Sequence, residues 1–158
     1  MKLLFFSFWI RSNKGLLGLQ RHKKRMVIKM ASAKKEAIIK SKVFSKAVIF
    51  GDLIFLSGIG PHDPETGKPV EGGIKEQTKR VMESMKATLE EAGSSLENVL
   101  KCTVFLTDMN HYHEMNEVYS SYFKVPPART CVQVSKLPRP SENVLIEIEA
   151  VACRSKSE

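Results

Sequence analysis

Toward the C-terminal end an arginine and a cysteine alternate with other residues in Arg129-Thr130-Cys131-Val132-Gln133, and two glutamates alternate with apolar residues in Ile146-Glu147-Ile148-Glu149-Ala150. A guanidinium is a rigid fork of N–H donors that fits a carboxylate through two parallel hydrogen bonds. A carboxylate can position water and take a proton from it. The same groups can also neutralise one another, and residue types alone favour a structural ion pair of Arg129 with Glu147 or Glu149. The three cysteines, Cys102, Cys131 and Cys153, are odd in number and form no CxxC. Neither a disulfide framework nor a zinc site is indicated, and a reducing compartment is expected. His62, His111 and His113 have no ligand-like neighbours, so no metal site is expected.

The elements that must carry these groups follow from periodicity. Val43 to Phe50 and Leu53 to Ser57 are β-branched and aromatic runs around Gly51-Asp52, a hairpin signal. A glycine- and proline-rich stretch, 58–73, is loop. Apolar residues at 74, 81, 82, 85, 89 and 92 predict a helix from Ile74 to Ala92, stopped by Gly93. Val99 to Thr107 alternates as a strand, with Leu100, Cys102, Val104 and Leu106 on one side. His111 to Phe123 predicts a second helix with Tyr112, Met115, Tyr119 and Tyr122 on one stripe, ended by Pro126-Pro127. Arg129 to Leu137 and Val144 to Cys153 complete a ββα, β, α, ββ order, joined by the polar connection 138–143. Two helices cover one face of such a sheet, expected to be the face of Val132, Val134, Ile146, Ile148 and Ala150. Arg129, Cys131, Gln133 and Ser135, with the glutamate side of the last strand, then make up the opposite face. That mixed surface suggests a subunit interface or a site, or else a solvated sheet face.

With 158 residues the chain has room for one sizeable core. Its net charge of +8 is unevenly placed. Residues 1–40 hold 11 of the 25 Lys and Arg and one of the 17 acids, which leaves 14 basic and 16 acidic residues afterwards, a balance of −2. A phosphate-tracking groove is therefore not expected on the folded part. Residues 1–38 are set apart as a basic extension, and 39–158 as the domain. The apolar run Leu3–Ile10 is far shorter than the roughly 20 residues that span a bilayer, and Ala31-Ser32-Ala33 lies too far on for a secretory cleavage site. The extension fits an organellar transit leader or lies upstream of a start at Met26 or Met30. The expected compartment is cytoplasmic, or mitochondrial or another organelle if the extension is translated.

The stretch Pro127-Ala128-Arg129-Thr130-Cys131, followed by Leu137-Pro138 and Ile146-Glu147-Ile148-Glu149-Ala150, resembles the Rid family of reactive intermediate deaminases. Leu56-Ser57-Gly58, Asp63-Pro64-Glu65-Thr66-Gly67 and Lys101-Cys102-Thr103-Val104-Phe105-Leu106, through Asn116 and Tyr119, agree in order and spacing. The resemblance runs from about Lys42 to Ala152. It implies an α+β, chorismate-mutase-like fold with a mixed sheet and two helices on one face. It also implies a homotrimer around a central barrel, with clefts between adjacent subunits. The implied activity is hydrolytic deamination of 2-iminopropanoate and 2-iminobutanoate, released as enamines by pyridoxal-phosphate-dependent dehydratases. The products are 2-keto acids and ammonia, and no cofactor is needed.

On that resemblance Arg129 grips the substrate carboxylate and Glu147 is the general base, with Glu149 structural. Cys131 is a pocket wall rather than a nucleophile, because imine hydrolysis needs none. Asn116, Ser57, Gly58 and Phe44 complete the expected substrate-binding set. Relatives commonly have glutamine where Ile59 stands and tyrosine where Phe44 stands, so the pocket here should be more apolar. The expected partners are small 2-imino and 2-keto acids and copies of the same chain, with no nucleic acid and no membrane. Two alternatives remain: a non-catalytic module that binds small carboxylates, and an RNA-acting translation inhibitor, which the −2 balance disfavours.

Overall fold

The structure, a computed structural model, describes residues 34–139 and 142–155. The expectations for the leader and the alternative starts, and Pro140 and Ser141 of the polar connection, fall outside these residues. Six strands and two helices follow in the order β1 (Lys35–Ile39), β2 (Ser45–Phe50), β3 (Leu53–Ile59), α1 (Ile74–Glu91), β4 (Val99–Leu106), α2 (Tyr112–Ser120), β5 (Ala128–Gln133) and β6 (Ile146–Cys153). One sheet contains all six strands in the order β1-β2-β3-β6-β4-β5. It is mixed: β4 and β5 run parallel, and the other neighbours antiparallel.

The expected helix from Ile74 is α1, and its stripe is the centre of the core. Ile74, Val81, Met82, Met85, Leu89 and Ala92 are all buried. Gly93, at φ +75°, stops the helix in a backbone region that costs a β-carbon dearly. The stripe packs on Ile54 and Leu56 of β3, Cys102, Val104 and Leu106 of β4, and Ile146, Ile148, Ala150 and Ala152 of β6. Gln77, fully buried, is satisfied at both ends: its Nε2 donates to the Asn143 carbonyl (2.9 Å) and its Oε1 accepts from the Leu145 N–H (2.9 Å). It ties α1 to the approach of β6.

Three local expectations change. β1 begins at Lys35, inside the segment 1–38 set apart from the domain, and pairs antiparallel with β2. Its exposed edge position and its Lys-Glu composition conceal the strand in the sequence. Leu100 does not share a side with Cys102: the ladder shifts between Val99 and Lys101, Val99 is buried instead, and Leu100 is 49% exposed. α2 ends at Ser120 rather than Phe123, because Ser121, Tyr122 and Phe123 turn more tightly, each N–H bonding to the carbonyl three residues back.

The largest correction concerns the sheet faces. Parallel pairing sets Arg129 beside Cys102 and Cys131 beside Val104, and those β4 residues are buried under the helices. Arg129 and Cys131 therefore lie on the helix side, at the rim of the core, while Val132 lies on the open side, 38% exposed. Alternation within β5 fits either assignment, and a shift of one residue in register exchanges its faces.

The candidate active site, in two halves

β5 is an edge strand, so Arg129 reaches past the core to α2. Its Nη1 donates to the Asn116 Oδ1 (2.7 Å), and its Nη2 donates to the Tyr112 hydroxyl (3.3 Å). The guanidinium carbon stands 4.8 Å from the Tyr119 ring centroid and 5.7 Å from that of Tyr112, within reach of cation–π attraction. None of the ion pairs among the described residues involves Arg129, Glu147 or Glu149. The structural pairing favoured by residue types alone is thus absent. A half-buried cation surrounded by neutral groups keeps its attraction for an anion.

An open pocket of about 850 Å³ lies beside the guanidinium, between Asn116, Tyr119, Phe123, Pro127 and Arg129. Cys131, next on the same side of β5, packs against the core, and burial pushes its thiol up, outweighing the opposite pull of Arg129. Cys102 is likewise raised by burial. Both remain neutral thiols at physiological pH, which fits a wall rather than a nucleophile. The buried Tyr119 hydroxyl lies by the Cys102 thiol, and burial, with that contact adding to it, keeps the phenol protonated.

Glu147 belongs to a second group, on the opposite face. It pairs across the ladder with Phe105 on the open side, and its neighbours Ile146 and Ile148 point into the core. Burial raises its carboxyl pKa, with the nearby Glu149 charge adding to the effect. Its side chain lies over Gly58: a β-carbon there would stand 2.7 Å from the Glu147 Cδ. Beside Gly58, the Ser57 hydroxyl donates to the Ser45 carbonyl (2.7 Å). Phe44, ahead of β2, is exposed with the Lys40 ammonium 5.7 Å from its ring centroid. Ile59 pairs with Ile148 and packs against the buried cluster, so its side chain adds to core packing.

The expected residues therefore fall into two groups: Arg129, Asn116 and Cys131 on the helix side, and Glu147, Ser57 and Gly58 toward the open side. Tyr112 and Tyr119 contact Arg129 directly, although in the sequence they stand out only as part of a packing stripe. Their spacing with Asn116, 112–116–119, is the signal that they share one helical face.

Comparisons with known proteins agree with this architecture. A family model described as endoribonuclease L-PSP matches residues 25–154. A RutC family protein from Pyrococcus abyssi is 56% identical over 110 residues, 69% of this chain and 84% of that protein. The human 2-iminobutanoate/2-iminopropanoate deaminase is 43% identical over 110 residues, 69% of this chain and 78% of the enzyme. Among solved structures, Escherichia coli TdcF with bound serine superposes with a TM-score of 0.66, with 38% identity over 71% of this chain and 88% of that one.

Proposed function

Because this chain belongs to the endoribonuclease L-PSP family, which includes the RutC and Rid proteins, we propose that it hydrolyses 2-imino acids such as 2-iminopropanoate and 2-iminobutanoate to 2-keto acids and ammonia. The observation that carries the proposal is the unpaired charge of Arg129, held in place by neutral side chains at the mouth of a pocket. The substrate's fixed feature is a carboxylate beside the C=N carbon, which the guanidinium fork matches. TdcF binds serine, a small molecule with the same carboxylate beside a carbon–nitrogen bond.

Arg129 and Glu147 project from opposite faces of one sheet, so a site that uses both is built between copies of the chain. Phe50, Leu53 and Phe55 leave exposed apolar surface at neighbouring ladder positions, which a second copy would cover. A closed trimer, with Arg129 of one protomer facing Glu147 of the next, meets both requirements. In that site the arginine fixes the carboxylate. The Glu147 carboxylate positions water and takes its proton as oxygen bonds to the imine carbon. The nitrogen gains a proton, the resulting carbinolamine loses ammonia, and the C=O of the keto acid forms. Orientation does most of this, since imines already react with water.

The test is purified protein added to a dehydratase reaction in which semicarbazide traps the imine. Trapping should fall in proportion to the protein added, and Arg129→Ala should restore it. Trapping unaffected by the wild-type chain would remove the activity.

A further inference from the structure

Tyr112, Asn116 and Tyr119 lie at i, i+4 and i+7 on α2, one above another along the helix face turned to β5. Each touches the guanidinium in a different way: a hydroxyl on Nη2, an amide oxygen on Nη1, and an aromatic ring beside the planar cation. Together these contacts fix both the direction and the plane of the fork. Tyr119 is itself held fast, being 4% exposed with its ring centroid 5.0 Å from that of Phe123. The guanidinium has five N–H donors, so the tethers leave the Nε–H and one N–H on each terminal nitrogen free.

All three contacts are electrically neutral. A carboxylate at any of them would hold Arg129 as firmly, but it would also neutralise the charge and compete with an incoming anion. We propose that this stripe is a neutral clamp for Arg129, in which Tyr112 and Tyr119 are positioning residues that orient the guanidinium for a substrate carboxylate without neutralising it. This rests on the carboxylate-binding role of Arg129 given above, and it changes the part expected of Asn116. The amide oxygen faces the arginine, so Asn116 acts on the ligand through Arg129.

The experiment uses the full chain and 2-oxobutanoate, the stable product, titrated by calorimetry alongside thermal unfolding. Asn116→Asp changes almost nothing in shape but places a negative charge on Nη1. Affinity should fall about tenfold or more while Tm holds or rises, because the new ion pair stabilises the fold as it blocks the ligand. Tyr112→Phe should weaken binding about threefold through the lost tether. Tyr119→Phe should bind as wild type, and Tyr119→Leu, which loses the ring, about tenfold less well. A merely structural role predicts losses of affinity that track losses of Tm, and that pattern overturns the proposal. So does an Asn116→Asp protein that binds 2-oxobutanoate normally.

The ¹⁵N relaxation of the Arg129 Nε–Hε group separates the clamp from the carboxylate-binding role. It should be ordered without ligand in wild type and more mobile in Tyr112→Phe and Tyr119→Leu. Equal mobility in all three refutes the clamp, whatever the ligand does. An ordered group in a wild-type chain that does not bind 2-oxobutanoate refutes the carboxylate-binding role instead.

Discussion

Placing Arg129 and Glu147 on opposite faces of one sheet leads to a quantitative test by mixing variants. In the proposed assembly, Arg129→Ala and Glu147→Ala should each inactivate every site when assembled alone, because each site then lacks one of its two groups. When the two variants are co-expressed in equal amounts and assemble at random, a site is whole where the Glu147→Ala chain supplies the arginine and the Arg129→Ala chain supplies the glutamate. About one quarter of all sites meet that condition in any closed ring. The fraction is independent of subunit number, because it depends only on the ordered pair of chains at one interface. Semicarbazide-trapping activity of the co-expressed protein, purified through one tag carried by both chains so that every assembly is kept, should therefore return to about a quarter of wild type. Activity no greater than that of the separate variants would mean that one chain supplies both groups, and the face assignment from the β4–β5 and β4–β6 registers would be wrong.

Other perturbations test separate parts of the structure. Because burial raises the Glu147 pKa above the ordinary value, the native state binds its proton more readily than the unfolded chain does, and ionisation costs stability as pH rises from 4.5 through the raised value. Measured on the dissociated chain, where no Arg129 of a second copy faces it, Glu147→Gln should therefore have a higher Tm than wild type at neutral pH, with the difference vanishing below the unfolded carboxyl pKa; a constant difference across a pH series would contradict the shift. Gly58→Ala puts a methyl group 3.2 Å from the Glu147 Cγ and closer still to the carboxyl carbon. It should lower turnover about tenfold or more by displacing the carboxylate, with only a small change in Tm. Gln77→Ala strands the Asn143 carbonyl and the Leu145 N–H, and denaturant unfolding should show a loss of about 3 kcal/mol. Cys131→Ala should keep activity within about fivefold, because a neutral thiol is not the attacking group; a loss of orders of magnitude would make it one.

Much of the fold was legible because its signals are local. The α1 stripe was written in a 3.6-residue period that only a helix makes contiguous, and every residue of it is buried. Cys102, Val104 and Leu106 showed the same for β4 at period two. β1 was not legible, since an exposed edge strand of five residues needs no apolar face and pairs through its backbone. Leu100 was misplaced because a ladder irregularity leaves no trace in the identity of the residues beside it.

The candidate site divides in the same way. Residue types and order were enough to single out Arg129, Cys131, Glu147 and Asn116 as candidates, because each type carries its own chemistry wherever the chain places it. Tertiary structure alone decided which sheet face each occupies, since alternation is symmetric between faces and only strand register breaks the tie. It also decided that Arg129 meets Tyr112, Asn116 and Tyr119 and, among the described residues, no acid. That outcome depends on where an edge strand docks against a helix whose contacting residues precede Arg129 by 13 and 17 positions for the two hydrogen bonds, a relation no local pattern encodes.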